Sequence, residues 1–150
     1  MSQSVVVSVN ISEQKGTRKH PQQGPVTITM LGIQGDAHAG DWHRQLSLLA
    51  QESIDKMQGH GLFLKPGDFA ENITTHGLDL LTLPVGTRLR IGTVTMEVTQ
   101  IGKECHLGCE IRKLVGDCVM PREGIFARVI TAGTIQAGDL ITLISKGETL

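Results

Sequence analysis

Thr87-Arg88-Leu89-Arg90-Ile91-Gly92-Thr93-Val94-Thr95-Met96-Glu97-Val98-Thr99-Gln100-Ile101 is the stretch that decides the fold. Leu89 and Ile91 alternate with arginines before Gly92, and Val94, Met96 and Val98 alternate with polar residues after it. Each half therefore carries one apolar face with the two-residue period of a strand. A glycine at the reversal permits the backbone of a tight turn, and so short a connection joins only antiparallel strands. A half-buried antiparallel hairpin over residues 87–101 is expected.

Working outward, residues 5–11 are β-branched and read as a strand, and residues 26–30, introduced by Pro25, alternate as a second. Residues 45–49 suit a short strand, followed by helix formers over 50–57 with Ile54 and Met57 on one face. Residues 69–74 alternate as a strand with Glu71 and Asn72 in its middle, and residues 78–83 read as a leucine-rich turn closed by Pro84 and Gly86. Beyond the hairpin, residues 110–115 suit one or two helical turns, and 118–124 form a turn. Residues 125–131 and 139–144 form a final extended pair across turn formers at 132–138. About seven or eight short strands with one convincing helix, and no regular strand–helix alternation, point to a mostly β domain. The expected form is an antiparallel β-barrel or sandwich with short helical insertions, one domain over residues 1–150 with no internal repeat or linker.

The composition agrees. Eighteen glycines beside three Phe, one Trp and no Tyr imply many tight turns around a Val, Ile and Leu core. A net charge of −1 gives no electrostatic case for nucleic acid or an anionic membrane, so anion binding must come from a local cluster. There is no apolar run long enough to span a bilayer and no signal-peptide layout after Met1, so a cytoplasmic location is expected. Cys105, Cys109 and Cys118 form an odd set, expected to be reduced rather than bridged.

Chemistry concentrates just past the hairpin, in Gly102-Lys103-Glu104-Cys105-His106-Leu107-Gly108-Cys109. A thiolate attacks electrophiles and ligates soft metals, and Lys103 and His106 beside Cys105 favour that charged form. Three further clusters fall beside expected strand ends: Lys15, Arg18 and Lys19; Asp36, His38, His43 and Arg44; and Glu71 with Asn72. Each has a plain structural reading as a solvated loop or edge pair. Together they supply cations for a phosphate or carboxylate, polar groups for a heterocycle and a thiolate for soft chemistry. Zinc held by Cys105, His106, Cys109 and Cys118 is disfavoured, because adjacent Cys and His aim poorly at one ion and the spacings match no zinc pattern. A single thiolate given to a transition metal with other soft ligands needs only one cysteine.

The segments Gly32-Ile33-Gln34-Gly35-Asp36-Ala37-His38 with His43-Arg44, Phe69-Ala70-Glu71-Asn72-Ile73, and Gly102-Lys103-Glu104-Cys105-His106 resemble the MOSC domain found at the C-terminus of molybdenum cofactor sulfurases. The likeness runs from Ser8 to Ile144 and is nearest to the small stand-alone bacterial type. It implies a β-barrel-type fold, binding of the molybdenum cofactor (molybdopterin), and one cysteine that ligates molybdenum or carries sulfur, a position matched by Cys105. Some relatives reduce N-hydroxylated bases and others deliver sulfur. The chain has no room for the pyridoxal-phosphate domain of the sulfurases, so a carrier role implies a partner cysteine desulfurase or molybdopterin-biosynthesis protein, and a molybdoenzyme as recipient. It also lacks the N-terminal extension of the larger reductase-type relatives.

In the resulting reading, Lys15 and Arg18 hold the pterin phosphate, Asp36, His38, His43 and Arg44 line the pocket, and Asn72 bonds the pterin. Lys103 and His106 flank Cys105, the metal ligand or persulfide carrier. A non-catalytic cofactor chaperone and a thiol redox sensor using Cys105 and Cys109 are the alternatives.

Overall fold

A computed structural model describes residues 3–58, 63–102 and 120–147. The hairpin forms as the alternation requires. Strand β7 (Arg88–Ile91) pairs antiparallel with β8 (Val94–Ile101) in the register Leu89 to Met96 and Ile91 to Val94. Leu89, Ile91, Val94, Met96 and Val98 are all fully buried on one face. At the reversal Gly92 has φ 58°, and a Cβ there would lie 2.6 Å from both the Asp139 carboxylate and the Thr134 carbonyl, so only glycine fits.

The other strands are β1 (Val5–Ile11), β2 (His20–Pro21), β3 (Val26–Thr29), β4 (Gly32–Ile33), β5 (Leu46–Ala50), β6 (Ile73–His76), β9 (Ile125–Thr131), β10 (Gly133–Ile135) and β11 (Ile141–Ser145). Helix α1 (Gln51–Lys56), a 3-10 turn at Leu80–Thr82 and a short helix α2 (Met120–Glu123) complete the described elements. Eight strands form one sheet in the order β11-β7-β8-β9-β5-β6-β1-β2, and β10-β3-β4 form a second. Pairing is antiparallel except between β5 and β6, which α1 connects, as a parallel pair demands a crossover.

The mostly β expectation is met. The paired strands do not close into a continuous barrel, and Val5 of β1 forms an isolated antiparallel bridge with Leu140, the residue before β11. Three backbone bonds flank it: Val6 N–H to Asp139 at 2.9 Å, Gly138 N–H to Val6 at 2.8 Å and Ile141 N–H to Ser4 at 2.9 Å.

Two cores lie on opposite faces of the central strands. Leu46 and Leu48 of β5 with Ile125 and Ala127 of β9 join the large cluster that includes Val9, Ile73, Met96 and Val98. The alternate residues Leu49 and Phe126 join Ile54, Leu64 and Phe69 beneath α1. Burial on both sides explains why β5, Leu46-Ser47-Leu48-Leu49-Ala50, places leucines on both of its faces rather than on one.

Several sequence expectations differ from the structure, among them the turn expected over 118–124, which holds the short helix α2 (Met120–Glu123). The final extended segments do not pair with each other: β9 pairs with β8 and β5, and β11 pairs with β7. The intervening stretch, expected to be only a turn, supplies β10, whose Gly133, Thr134 and Ile135 pair with Ile28, Thr27 and Val26 of β3. The strand expected over 69–74 begins only at Ile73. The Glu71 carboxyl accepts the N–H groups of Gly67 at 3.0 Å and Phe69 at 3.3 Å, closing a turn in which Ala70 takes a left-handed φ of 63°. The helical turns expected over 110–115 lie outside the described residues.

Candidate functional site: a cationic aromatic cluster beside the end of β8

The loop between β4 and β5 holds Asp36, His38, His43 and Arg44, four of the residues singled out by sequence. Asp36 is buried and accepts the N–H of Ser12 at 3.1 Å and of His38 at 3.0 Å. The Lys19 ammonium lies 2.7 Å from the same carboxylate, and both side chains are fully buried. Lys19 also donates to the Ser12 hydroxyl at 3.1 Å and approaches Nδ1 of His38 at 3.0 Å. An ammonium only donates, so a bond from Lys19 uses Nδ1 as acceptor and the tautomer with its proton on Nε2; the same Nδ1 lies 3.7 Å from the other Asp36 oxygen. Burial pushes the Asp36 carboxyl upward, but bonds from His38 and Lys19, with the Lys19 charge, outweigh it and hold the carboxyl well below the usual range.

Trp42 sits at the centre of the outer part of the site. Its indole N–H donates to the His38 carbonyl at 2.7 Å, and its ring stacks parallel to His38 with centroids 6.4 Å apart. The Lys15 ammonium lies 4.6 Å from the indole centroid and the Arg44 guanidinium carbon 4.8 Å from it. Arg44 is also 5.5 Å from the ring of Phe126, and its buried Nε has no hydrogen-bond acceptor among the described residues. His43 meets Trp42 edge-on, and its Nε2 lies 2.7 Å from the Gln100 side-chain oxygen. The Thr99 hydroxyl donates to the His43 carbonyl, and the Gln100 amide to the Gly102 carbonyl at 2.7 Å. These bonds dock the loop on the end of β8, immediately before the cysteine-bearing segment.

The structure thus gathers Lys15, Asp36, His38, His43 and Arg44 around Trp42 and Lys19. Arg18 is placed elsewhere, in a polar cleft of about 630 Å³ with Gln14, Thr17, His20 and Gln22, whose wall reaches Ser12 and Gly35 beside the cluster. Asn72 is engaged inside the fold. Its side-chain oxygen accepts the N–H and hydroxyl of Ser47 at 3.0 and 3.2 Å, and its amide donates to the Asn10 carbonyl at 3.3 Å, tying β1 to β5. Lys103, Cys105 and His106, with Cys109 and Cys118, lie outside the described residues. Among the described residues no group of three His, Cys, Asp or Glu side chains is disposed to hold a metal ion.

Sequence reading placed Lys19 in the basic cluster without a role of its own, and passed over Trp42 and Gln100 as site residues. Trp42 had a signal, as the chain's single tryptophan in a polar loop. Lys19 had none, since nothing local distinguishes a buried lysine from its solvated neighbours. Glu71 is a second buried acid. Burial, partly opposed by the Gly67 N–H, the Thr74 hydroxyl at 2.7 Å and the Phe69 N–H, raises it to about 7.

A β-rich domain with a cationic, aromatic loop at the end of one strand is the class these observations define. A family model described as "MOSC domain" matches residues 34–142, and the chain belongs to that family. The fold is shared with the YuaD protein of Bacillus subtilis, at a TM-score of 0.76, 18% identity and coverage of 93% of this chain and 94% of that one. It is also shared with YiiM of Escherichia coli, at a TM-score of 0.75, 21% identity and coverage of 100% and 73%. For YiiM of Geobacillus stearothermophilus the corresponding figures are 0.74, 22%, 95% and 75%. No functionally curated protein matches the chain significantly. Family membership makes this a domain of the kind associated with the molybdenum cofactor.

Proposed function

We propose that the protein binds the pterin-dithiolene molybdenum cofactor and offers Cys105 as molybdenum ligand or persulfide carrier, flanked by Lys103 and His106. The observation that carries this reading is family membership over residues 34–142, together with a loop docked on the end of β8. Three residue steps, at most about 11 Å of extended chain, separate Gly102 from Cys105. The side chains fit the group in kind. The cofactor is anionic and heteroaromatic, and the loop presents Lys15 and Arg44 on an indole, with a buried Arg44 N–H lacking an acceptor among the described residues. When bound, the cofactor supplies two-electron redox chemistry. The chain's part is to hold it: Lys15 supplies positive charge for its phosphate, joined by Arg18 if the neighbouring polar cleft is part of the site, His38 an N–H donor, and His43 a link to β8. Sulfur transfer through Cys105 requires a partner desulfurase. Reduction of an N-hydroxylated base requires an external electron donor.

Elemental analysis with X-ray absorption on protein from a molybdate-replete host tests the reading. Molybdenum with sulfur neighbours is expected, and Cys105→Ser is expected to lose most of the retained metal while the fold persists. Protein free of molybdenum and pterin under those conditions would sink the proposal. Bound cofactor without turnover of an N-hydroxylated base would identify a carrier.

Arg18→Ala should separate the polar cleft from the Trp42 cluster. If Arg18 grips the phosphate, removing a charge-assisted bond of about 1.5–3 kcal/mol weakens cofactor retention roughly ten- to a hundredfold. Its exposed position leaves the melting temperature nearly unchanged. Pterin fluorescence of the purified variant reads the outcome, and unchanged retention removes Arg18 from the site.

A further inference from the structure

We propose that Arg44, Trp42 and Lys15 form an oxyanion subsite that takes the phosphate monoester end of a ligand, and does so independently of the cysteine segment. The inference deepens the cofactor reading by placing phosphate on Arg44, and it rests on that reading only for the natural ligand.

Guanidinium groups ordinarily find a carboxylate. Among the described residues Arg88 and Arg128 share Glu97, with closest N to O distances of 3.4 and 3.0 Å. Arg44 has no such partner there. Asp36, the buried carboxylate of its own loop, is taken by Lys19. Arg44 is instead half-buried, with its guanidinium carbon 4.8 Å from the Trp42 centroid and 5.5 Å from that of Phe126. Its Nε is enclosed with no acceptor among the described residues, and a buried donor left unsatisfied costs stability unless something completes it. Lys15 stands over the same indole, 4.6 Å from its centroid, so two cations share one ring without a described counter-charge. The Trp42 N–H is tied to the His38 carbonyl, which fixes the ring that carries them both. A fixed planar fork of N–H donors beside a second cation matches a tetrahedral dianion in shape and charge.

Trp42 is the only tryptophan, so its emission reports this subsite alone. The full-length, cofactor-free protein is titrated with inorganic phosphate, with sodium acetate and with sodium chloride, all at matched ionic strength. Phosphate is expected to perturb the emission saturably, while acetate acts at least tenfold more weakly and chloride shows no saturation. Arg44→Ala should weaken phosphate binding about ten- to a hundredfold, and Lys15→Ala a few-fold. Arg44→Lys keeps the charge without the fork and should fall between wild type and Arg44→Ala, with far-UV circular dichroism confirming that each variant folds. Cys105→Ser should bind phosphate as the wild type does. Phosphate binding at Arg44 in a chain that never acquires molybdenum would overturn the cofactor reading and leave the subsite standing. A response no different from chloride, one matched by acetate, or one that survives Arg44→Ala overturns the subsite itself.

Discussion

Lys19→Met is expected to destabilise the fold by about 3–5 kcal/mol, the range for breaking a buried ion pair by removing one partner. The methionine fills the space of the lysine stem but leaves the fully buried Asp36 carboxylate without its 2.7 Å ammonium, and leaves Ser12 and Nδ1 of His38 without a donor. The loss therefore falls on the whole network rather than on one contact. In an Asp36→Asn background the same substitution should cost much less, because the charge that needed neutralising is already gone. Urea denaturation of the four proteins of the cycle measures this. A loss below about 1 kcal/mol for the single variant, the scale of an exposed pair, would show that the network does not anchor the loop.

A second large effect is expected in the pH dependence of stability. Glu71 titrates near 7 in the folded protein, against the ordinary 4.5 of the unfolded chain, so the folded state favours its protonated form. That contribution is fully present below about pH 4.5 and is lost as pH rises through 7. At 1.36 kcal/mol per pKa unit it amounts to about 3 kcal/mol. Asp36 acts in the opposite sense: its folded value is depressed, so its contribution is present above the unfolded carboxyl value and is lost as pH falls below about 4. Stability should peak on the acidic side, about pH 5, and decline toward neutrality. Glu71→Gln should flatten the decline between pH 5 and 8, even though the amide bonds the Gly67 and Phe69 N–H groups less well and lowers stability throughout. Denaturant midpoints across that range decide the matter, and a wild-type profile as flat as the variant's would contradict the assignment.

The parts of the fold visible in sequence are those whose burial is one-sided. β7 and β8 alternate because one face meets the core and the other meets water, and Gly92 marks their reversal. β5 and β9 are covered on both faces, so their sequence tells that they are strands but not which strands flank them. Pairing of β9 with β8 and β5, and of β10 with β3, depends on contacts distant in the chain that no local pattern encodes. At residues 69–74 the alternation misled, because it did not register that a buried Glu71 would turn back onto its own backbone.

The site divides in the same way. Asp36, His38, His43 and Arg44 are visible as an unusual density of polar chemistry in one glycine-punctuated loop; His38, His43 and Arg44 converge on Trp42, and Asp36 is buried against Lys19. Lys15 and Arg18 looked equivalent in sequence, three residues apart, yet one stands over the indole and the other lines a separate cleft. Lys19, adjacent to Arg18, is the cation that folding buries.

Ile101 and Ile125 face each other in the β8–β9 ladder, and the Gly102 N–H bonds the Gly124 carbonyl at 2.8 Å. The entropy of bringing the two ends of the intervening segment together is thus met by the ladder itself, and it grows only slowly with the number of residues enclosed. Length changes between Gly102 and Met120 cost the ladder little closure entropy, whereas one residue gained or lost within β8 would invert its faces. The β8–β9 pairing therefore fixes where the thiol-bearing segment is anchored without fixing how many residues carry it.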